Sequence, residues 1–310
     1  MADAVEASGL GKKFGDVTAL ENISFAVPEG KLIGLIGADG AGKSTLMRIL
    51  VTLIRPDSGG ARVLGRDAAA EFAAIRALIG YMPQKFSLYG DLSVRENLLF
   101  FADVFGVPGA ERARRMEQLL QFSRLDDFQN RRAANLSGGM KQKLALSCSL
   151  IHTPRLLFLD EPTTGVDPLS RQEFWRILFD LKKQGITIVV STPYMDEAVD
   201  CDLLLLLHRG KILRHGSPAD LLAGYPLVIY KVISEPGGAS MPPAGAPLPP
   251  GVSLMYQAAG ELRLVGADPG DPETLLARIR NLLPGAEAIE RVDPTIEDLL
   301  FSALSEKGSA

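Results

Sequence analysis

A glycine-rich stretch that ends in a lysine and two hydroxyl residues constrains the fold of this chain more than any other feature. Residues 37–44 read Gly-Ala-Asp-Gly-Ala-Gly-Lys-Ser, and Thr45 follows. An apolar, strand-like run at 31–36 precedes the stretch, and a helix-like run at 43–50 follows it. In this context the glycines let backbone N–H groups turn inward around phosphates, and the helix N-terminus adds its positive dipole end. The sequence therefore predicts a phosphate-binding loop between a buried strand and a helix.

The side chains of this loop have separate expected roles. Lys43 should reach the terminal phosphates as a point charge, and Ser44 should offer its hydroxyl to Mg²⁺. The residues of the stretch that are predicted to bind the nucleotide are Gly37, Asp39, Gly40, Ala41, Gly42, Lys43, Ser44 and Thr45.

A second motif supplies two carboxylates. Residues 156–159 are four apolar residues, and Asp160 and Glu161 follow them directly. A buried strand would present both acids at its carboxyl end, which is where α/β folds bind ligands. We expect Asp160 to hold Mg²⁺, directly or through water, and Glu161 to act as the general base on the attacking water. Together the two motifs indicate a nucleotide hydrolase.

A third motif narrows this class. Residues 136–140, Leu-Ser-Gly-Gly-Met, resemble the LSGGQ signature of the ATP-binding cassette family, with Met140 in place of glutamine. The resemblance extends over residues 4 to about 222. It implies ATP and Mg²⁺ as the bound nucleotide and metal. It also implies that Ser137, Gly138 and Gly139 close on the γ-phosphate of an ATP bound to a partner subunit.

The resemblance assigns roles at three further positions. Gln84 matches the glutamine that contacts Mg²⁺ and water and senses the membrane domain. Asp167, in the stretch Gly165-Val-Asp, matches the loop that crosses the dimer interface. Phe14 stands where the family places an aromatic ring on adenine, although a core role for this phenylalanine is the alternative.

Two positions depart from the family pattern. Asp39 stands where asparagine is common, and a carboxylate beside a triphosphate is electrostatically unfavourable. Pro193, in Ser-Thr-Pro, stands where the family places a histidine that holds the γ-phosphate and orients the water. The three histidines, His152, His208 and His215, lie in other segments. The resemblance therefore implies weak hydrolysis at this chain's own site.

Three softer segments, 84–89, 191–198 and 293–300, resemble the branch of the family that exports drugs, lipids or polysaccharides. The implied partners are integral membrane permease subunits, which recognise the cargo, and a second cassette. That cassette makes a homodimer or, as preferred here because of Pro193, is non-identical. The implied location is the cytoplasmic face of the cell membrane, as a peripheral subunit.

Alternating strand and helix patterns predict an α/β fold, a P-loop NTPase core with a mainly parallel sheet. A helical subdomain at about 86–150 interrupts this ATPase domain, which is predicted to span 1–224. A proline- and glycine-rich linker at 235–251 lies within a small C-terminal αβ domain, 225–310, with an accessory or regulatory role.

Composition excludes some classes of protein. Thirty-three basic and 37 acidic residues give a net charge of −4, which argues against nucleic acid as a partner. We expect no signal peptide and no membrane span, because no apolar run approaches the ~20 residues that a span needs. Cys148 and Cys201 are predicted to be buried thiols. Two alternatives remain: a soluble cassette without a transport role, and a regulatory cassette that binds ATP but hardly hydrolyses it.

Overall fold

The chain divides into two units, which are described separately. The computed structural model describes residues 2–85, 88–234, 241, 247–258, 261–266 and 272–305. The units are Met1–Gly216 and Ser217–Ala310. The domain boundary predicted at 224/225 lies beyond the helix Pro218–Ala223, which belongs to the second unit, and it stays a prediction.

The first unit contains ten strands and seven helices in its described residues. The strands are β1 (Asp3–Phe14), β2 (Val17–Pro28), β3 (Leu32–Ile36), β4 (Ser58–Val63), β5 (Arg66–Asp67), β6 (Ile79–Met82), β7 (Leu156–Asp160), β8 (Thr187–Thr192), β9 (Leu203–His208) and β10 (Lys211–Gly216). The helices are α1 (Lys43–Leu50), α2 (Phe72–Arg76), α3 (Val94–Val104), α4 (Gly109–Ser123), α5 (Gly138–Leu150), α6 (Pro168–Lys183) and α7 (Met195–Ala198).

A six-stranded sheet forms the centre of this unit, in the order β10-β9-β3-β8-β7-β6. The five strands from β9 to β6 pair in parallel, and β10 pairs antiparallel with β9. Every residue of β3 and β7 is buried, as expected for strands whose two faces are both covered. The predicted α/β fold with a mainly parallel sheet is confirmed. The carboxyl ends of β3, β8, β7 and β6 therefore lie side by side at one edge.

A second, antiparallel sheet in the order β2-β1-β4-β5 packs on the same core. Its two long strands, for which the sequence pattern predicts only the shorter runs 4–10 and 20–27, meet at a turn through Gly15, which has a φ of 58°. Strand β4 was not predicted, because its sequence Ser-Gly-Gly-Ala-Arg-Val has a low propensity for strands. It forms because its backbone pairs with β1 from Val63 to Ser58.

The helical part between β6 and β7 has its own apolar cluster, built from α3, α4 and α5. Helix α3 begins at the predicted capping box: Ser93 accepts from the backbone N–H of Glu96, and the Glu96 carboxylate accepts from that of Ser93. The break predicted near 106–109 separates α3 from α4, where Gly106 has a φ of 64°. Among the described helices, none combines the length and apolar character needed to cross a bilayer.

The second unit is a small αβ unit. It contains α8 (Pro218–Ala223), β11 (Val228–Ser234), β12 (Val252–Ala258), β13 (Glu261–Gly266), α9 (Pro272–Leu282), β14 (Ala286–Val292) and α10 (Ile296–Ser305). The strands form an antiparallel sheet in the order β12-β13-β11-β14. Side chains of α9 and α10 pack in two different apolar clusters of this sheet. The predicted linker 235–251 lies outside the described residues, apart from Met241 and 247–251.

Candidate functional site

The predicted phosphate loop connects β3 to α1 and depends on a glycine at its end. Gly42 has a φ of 107°, in the left-handed region that favours glycine. A Cβ at this position would lie 2.6 Å from the backbone oxygen of Ala19. Only glycine therefore fits here without a backbone shift, at the point where the loop enters α1.

Lys43, at the first position of α1, is buried with 4 % of its surface exposed. Its ammonium group donates to the backbone oxygens of Gly37 (2.8 Å) and Ala38 (3.2 Å). The same group lies 3.3 Å from a carboxylate oxygen of Glu161. The lysine is thus held inside the loop, with a buried carboxylate in front of it.

Glu161 follows β7 and is the point where three separate segments meet. Besides its ion pair with Lys43, its carboxylate accepts a hydrogen bond of 2.7 Å from the side-chain amide of Gln84. Gln84 comes soon after β6. Because β3, β7 and β6 are parallel strands of one sheet, residues that follow their carboxyl ends meet at one edge. Glu161, the predicted base, therefore contacts both Lys43, predicted to bind phosphate, and Gln84, predicted to contact water.

A cleft of about 360 Å³ opens beside these three side chains. Its lining residues are Val17, Thr18, Ala19, Asp39, Gly40, Ala41, Gly42, Lys43, Ser44, Thr45, Gln84 and Glu161. Most residues predicted to bind the nucleotide are in this set. Asp39 is exposed at the cleft.

Phe14 is outside that lining set, and its ring is half exposed at the end of β1. The ammonium group of Lys12 lies 5.5 Å from the ring centroid. Phe14 is paired in the sheet with Val17, which does line the cleft. The ring therefore stands next to the cleft, and its contact with adenine stays a prediction.

The residues predicted to hold Mg²⁺, namely Ser44, Gln84 and Asp160, suit that ion. Asp160 has 1 % of its surface exposed, and among the described residues it has no ion-pair partner. A buried carboxylate without a cation is costly, and a metal would compensate its charge. Mg²⁺ typically takes one or two carboxylates, waters and substrate phosphates rather than a cage of protein ligands. The described residues contain no group of three or more His, Cys, Asp or Glu placed to hold a metal.

The predicted signature residues stand at the start of α5. Ser137 is the N-cap, and its hydroxyl accepts a hydrogen bond of 3.3 Å from the backbone N–H of Met140. A Cβ on Gly139 would lie 2.6 Å from the Cβ of Ser170 on α6, so this position has no room for a side chain. Neither Ser137, Gly138 nor Gly139 is among the residues that line the cleft described above. The signature of this chain therefore faces a different surface.

The predicted interface loop leads into α6. Asp167 is the N-cap of this helix and accepts a hydrogen bond of 2.9 Å from the backbone N–H of Ser170. That bond lowers the pKa of the Asp167 carboxyl, so the cap is ionised near neutral pH. The loop and the signature are neighbours, because Ser170 also packs against Gly139.

The segment that contains Pro193 is anchored by a buried acid that the sequence analysis missed. Glu197 of α7 accepts hydrogen bonds from Thr163 (3.0 Å) and from Thr192. Burial raises the pKa of Glu197, although these hydrogen bonds work in the opposite direction. There was little indication in the sequence that Glu197 is buried, because an acidic residue soon after a strand is also typical of an exposed helix N-terminus. This anchor holds the loop at Pro193 close to the segment that follows Glu161.

The histidines lie away from this site, in the segments noted in the sequence, and the two cysteines are buried as predicted. His152 packs its ring on Phe105 at 3.9 Å, and burial lowers its pKa. His208 and His215 belong to β9 and β10. Both thiols are buried and unpaired, and burial raises their pKa. None of these five residues lines the cleft.

Comparisons with known proteins agree with this geometry. Residues 20–164 match the ABC transporter family. The probable multidrug ABC transporter ATP-binding protein YbhF of Escherichia coli K12 is 45 % identical over 219 residues, which are 71 % of this chain but 38 % of that protein. The chain thus matches less than half of the length of that relative.

A second relative is covered more fully. The Nod factor export ATP-binding protein I of Rhizobium sp. strain N33 is 41 % identical over 220 residues, 71 % of this chain and 72 % of that protein. Among solved structures, a dimeric ATP-binding cassette in a post-hydrolysis state, bound to ADP and Pi, aligns with a TM-score of 0.63. It is 28 % identical, and the alignment covers 69 % of this chain and 98 % of that one.

Proposed function

The chain belongs to the ABC transporter family, and from that premise we propose that it is the ATP-binding and ATP-hydrolysing subunit of an exporter. Its cargo would pass through separate membrane subunits. The observation that carries the proposal is the contact between Lys43, Glu161 and Gln84 at the edge of one cleft. This is the set of groups that phosphoryl transfer to water needs.

Each group has a defined task in the proposed reaction, and Gln84 has two. The backbone N–H groups of the phosphate loop and the ammonium of Lys43 hold the terminal phosphates of ATP. Glu161 accepts the proton of the attacking water, and Gln84 orients that water. Mg²⁺, held by Ser44, Asp160 and Gln84, would neutralise charge that develops on the phosphates. The rest of the catalytic effect comes from positioning and from fixed dipoles.

We propose that the site is completed by a second cassette. The signature residues Ser137–Gly139 lie at a helix N-terminus outside this chain's own cleft, so they are available to a neighbour's nucleotide. The related cassette bound to ADP and Pi is dimeric in its solved structure. A non-identical partner is preferred because Pro193 cannot donate a hydrogen bond to the γ-phosphate. The partner would retain the histidine in its own segment, so most hydrolysis would occur at the partner's nucleotide.

Gln84 also supports a role in docking to a permease. It lines the nucleotide cleft and a neighbouring cleft of about 360 Å³, which is further lined by Lys85, Leu88 and Lys141. One side chain therefore stands between the nucleotide and a second surface. In the proposal the segment 84–89 contacts the membrane subunits and places the chain on the cytoplasmic membrane face. Of that segment, Phe86 and Ser87 lie outside the described residues.

Export is proposed over import because of the relatives that match. Their names refer to multidrug transport and to Nod factor export. The cargo of this chain would be set by its own membrane subunits.

Hydrolysis is tested with the purified chain, alone and with its co-expressed permease. Release of phosphate should depend on Mg²⁺ and fall at least tenfold in Glu161→Gln, with ATP binding kept. Lys183→Ala, which removes an exposed ion pair with Asp180, serves as the control and should leave turnover unchanged. Turnover that persists in Glu161→Gln would show that this carboxylate is not the base.

The partner arrangement is tested in a mixed dimer with a cassette that has the histidine. Ser137→Ala in this chain should reduce turnover more than Glu161→Gln in this chain, because the first residue serves the partner's active nucleotide. A larger effect of Glu161→Gln would contradict the arrangement, since it would locate most hydrolysis at this chain's own site.

A regulatory cassette that binds ATP but hardly hydrolyses it is the second candidate, and Pro193 is the observation that favours it. The two candidates differ in a single measurement. A regulatory cassette would bind ATP with Mg²⁺ and show no Mg²⁺-dependent phosphate release when this chain is the only cassette present.

A further inference from the structure

A buried serine stands behind both carboxylates of the site. Ser191 belongs to β8, has no exposed surface, and is paired in the parallel sheet with Asp160 of β7. Its hydroxyl donates to a carboxylate oxygen of Asp160 at 2.7 Å. The same hydroxyl oxygen accepts from the backbone N–H of Glu161 at 2.9 Å. One hydroxyl group therefore bonds to two adjacent residues with different proposed tasks.

A hydroxyl suits this position, because it can donate one hydrogen bond while it accepts another. The backbone at Glu161 needs such support. Glu161 has a φ of 50°, a left-handed conformation that is uncommon for residues other than glycine. Such conformations persist where the surroundings fix them, and they cluster at functional sites.

The two hydrogen bonds of the Ser191 hydroxyl differ in whether another group could replace them. The Glu161 N–H also lies 3.2 Å from the backbone oxygen of Ser191, so it keeps a partner without the hydroxyl. The Asp160 carboxylate differs, because no other side-chain hydrogen bond to it is found among the described residues. The orientation of Asp160 is therefore what the hydroxyl determines.

We propose that Ser191 is a positioning residue for the proposed hydrolysis: its hydroxyl directs the Asp160 carboxylate toward Mg²⁺. This inference rests on the proposed function. It gives the segment before Pro193 a role that needs no histidine. The neighbouring residue supports that role, because Thr192 accepts from the backbone N–H of Tyr194 at 3.0 Å and donates to Glu197. The turn at Pro193 is thus fixed on both sides.

The test removes the hydroxyl and measures the metal directly. Ser191→Ala is compared with Ser147→Ala, which also removes a buried hydroxyl but from α5, where it bonds to the backbone oxygen of Lys143. Ser191→Cys, similar in shape but a weak donor, is the intermediate variant. The readouts are Mn²⁺ affinity of the complex with a non-hydrolysable ATP analogue, analogue affinity without metal, melting temperature, and kcat for ATP.

Ser191→Ala should weaken Mn²⁺ binding and reduce kcat by about tenfold to a hundredfold, the usual effect of losing a group that orients a metal ligand. Metal-free binding of the analogue should stay within about twofold of wild type, because Ser191 is not in the phosphate loop. Ser191→Cys should fall between wild type and Ser191→Ala, and Ser147→Ala should match wild type.

The outcomes separate this inference from the proposed function. Equal Mn²⁺ affinity in wild type and Ser191→Ala would overturn the positioning role, even if wild type hydrolyses ATP. Weaker Mn²⁺ binding in Ser191→Ala, with a wild type that does not hydrolyse ATP, would support the role and reject the hydrolysis. If Ser191→Ala does not fold, an unchanged Mn²⁺ affinity in Ser191→Cys would overturn it.

Discussion

Replacing Lys43 with alanine should destabilise the empty protein as well as weaken ATP binding. The Lys43 ammonium lies 3.3 Å from the Glu161 carboxylate, and the two side chains are 4 % and 7 % exposed. Water screens such a pair little. Removing one partner of a buried ion pair leaves an uncompensated charge, and this typically costs about 3–5 kcal/mol. In a protein unit of this size, that corresponds to roughly 6–20 °C in melting temperature.

A second substitution separates the two effects. In Lys43→Ala/Glu161→Gln the buried carboxylate is replaced by a neutral amide, so part of the lost stability should return. The coupling free energy between the two sites should be on the order of 1–3 kcal/mol. ATP affinity should not return, because the lost phosphate contact is worth about tenfold to a hundredfold in binding.

The assay is urea unfolding followed by circular dichroism without nucleotide, together with calorimetric titration of ATP. Lys183→Ala, which removes an exposed ion pair, should leave both quantities near wild type. The reasoning is refuted if Lys43→Ala is as stable as wild type, or if the double variant is no more stable than the single one. Unchanged ATP affinity in Lys43→Ala would show that the nucleotide site is elsewhere.

Three further predictions concern the loop, the switch segment and the second unit. Gly42→Ala should lose most ATP affinity in calorimetry, since its Cβ would lie 2.6 Å from the Ala19 oxygen; tight binding would contradict the loop geometry. Pro193→His should raise homodimer turnover about tenfold or more, and Pro193→Ala should not; equal rates would mean that another group positions the water. Chains that end at Gly216 or at Tyr225 should stay soluble and bind ATP like the full chain; insolubility of both would show that the first unit does not fold alone.

The site could be predicted where local sequence and sheet topology determine it together. A phosphate loop after one strand and two acids after another must meet if both strands are parallel members of one sheet. The contact between Lys43 and Glu161 could not be predicted, because it depends on how these two side chains are oriented within the cleft. The role proposed for Ser191 was hidden for another reason: its contact with Asp160, 31 residues away along the chain, follows from the register of two strands.

Short helices and strands of the fold were also harder to predict from the sequence. The sequence pattern of residues 70–78 predicts a helix, but α2 spans only Phe72–Arg76. The Asp67 carboxylate accepts from the backbone N–H groups of Ala69 and Ala70, and this turn delays the start of the helix. Strand β11 was not predicted, although its apolar residues include the buried Ile229, Tyr230 and Val232.

The contact between Lys43 and Glu161 also sets an order of events. The ammonium of Lys43, which is predicted to bind the phosphates, already forms an ion pair with the carboxylate of Glu161, which is predicted to activate the attacking water. When a nucleotide binds, its phosphates should compete with the Glu161 carboxylate for the Lys43 ammonium and weaken the ion pair between the two side chains. If Glu161 is the base, its carboxylate would stay paired with Lys43 until the phosphates of the substrate bind to the lysine. The Glu161 carboxylate would then become available to activate water only after nucleotide has bound, and no other group would be needed to detect the nucleotide.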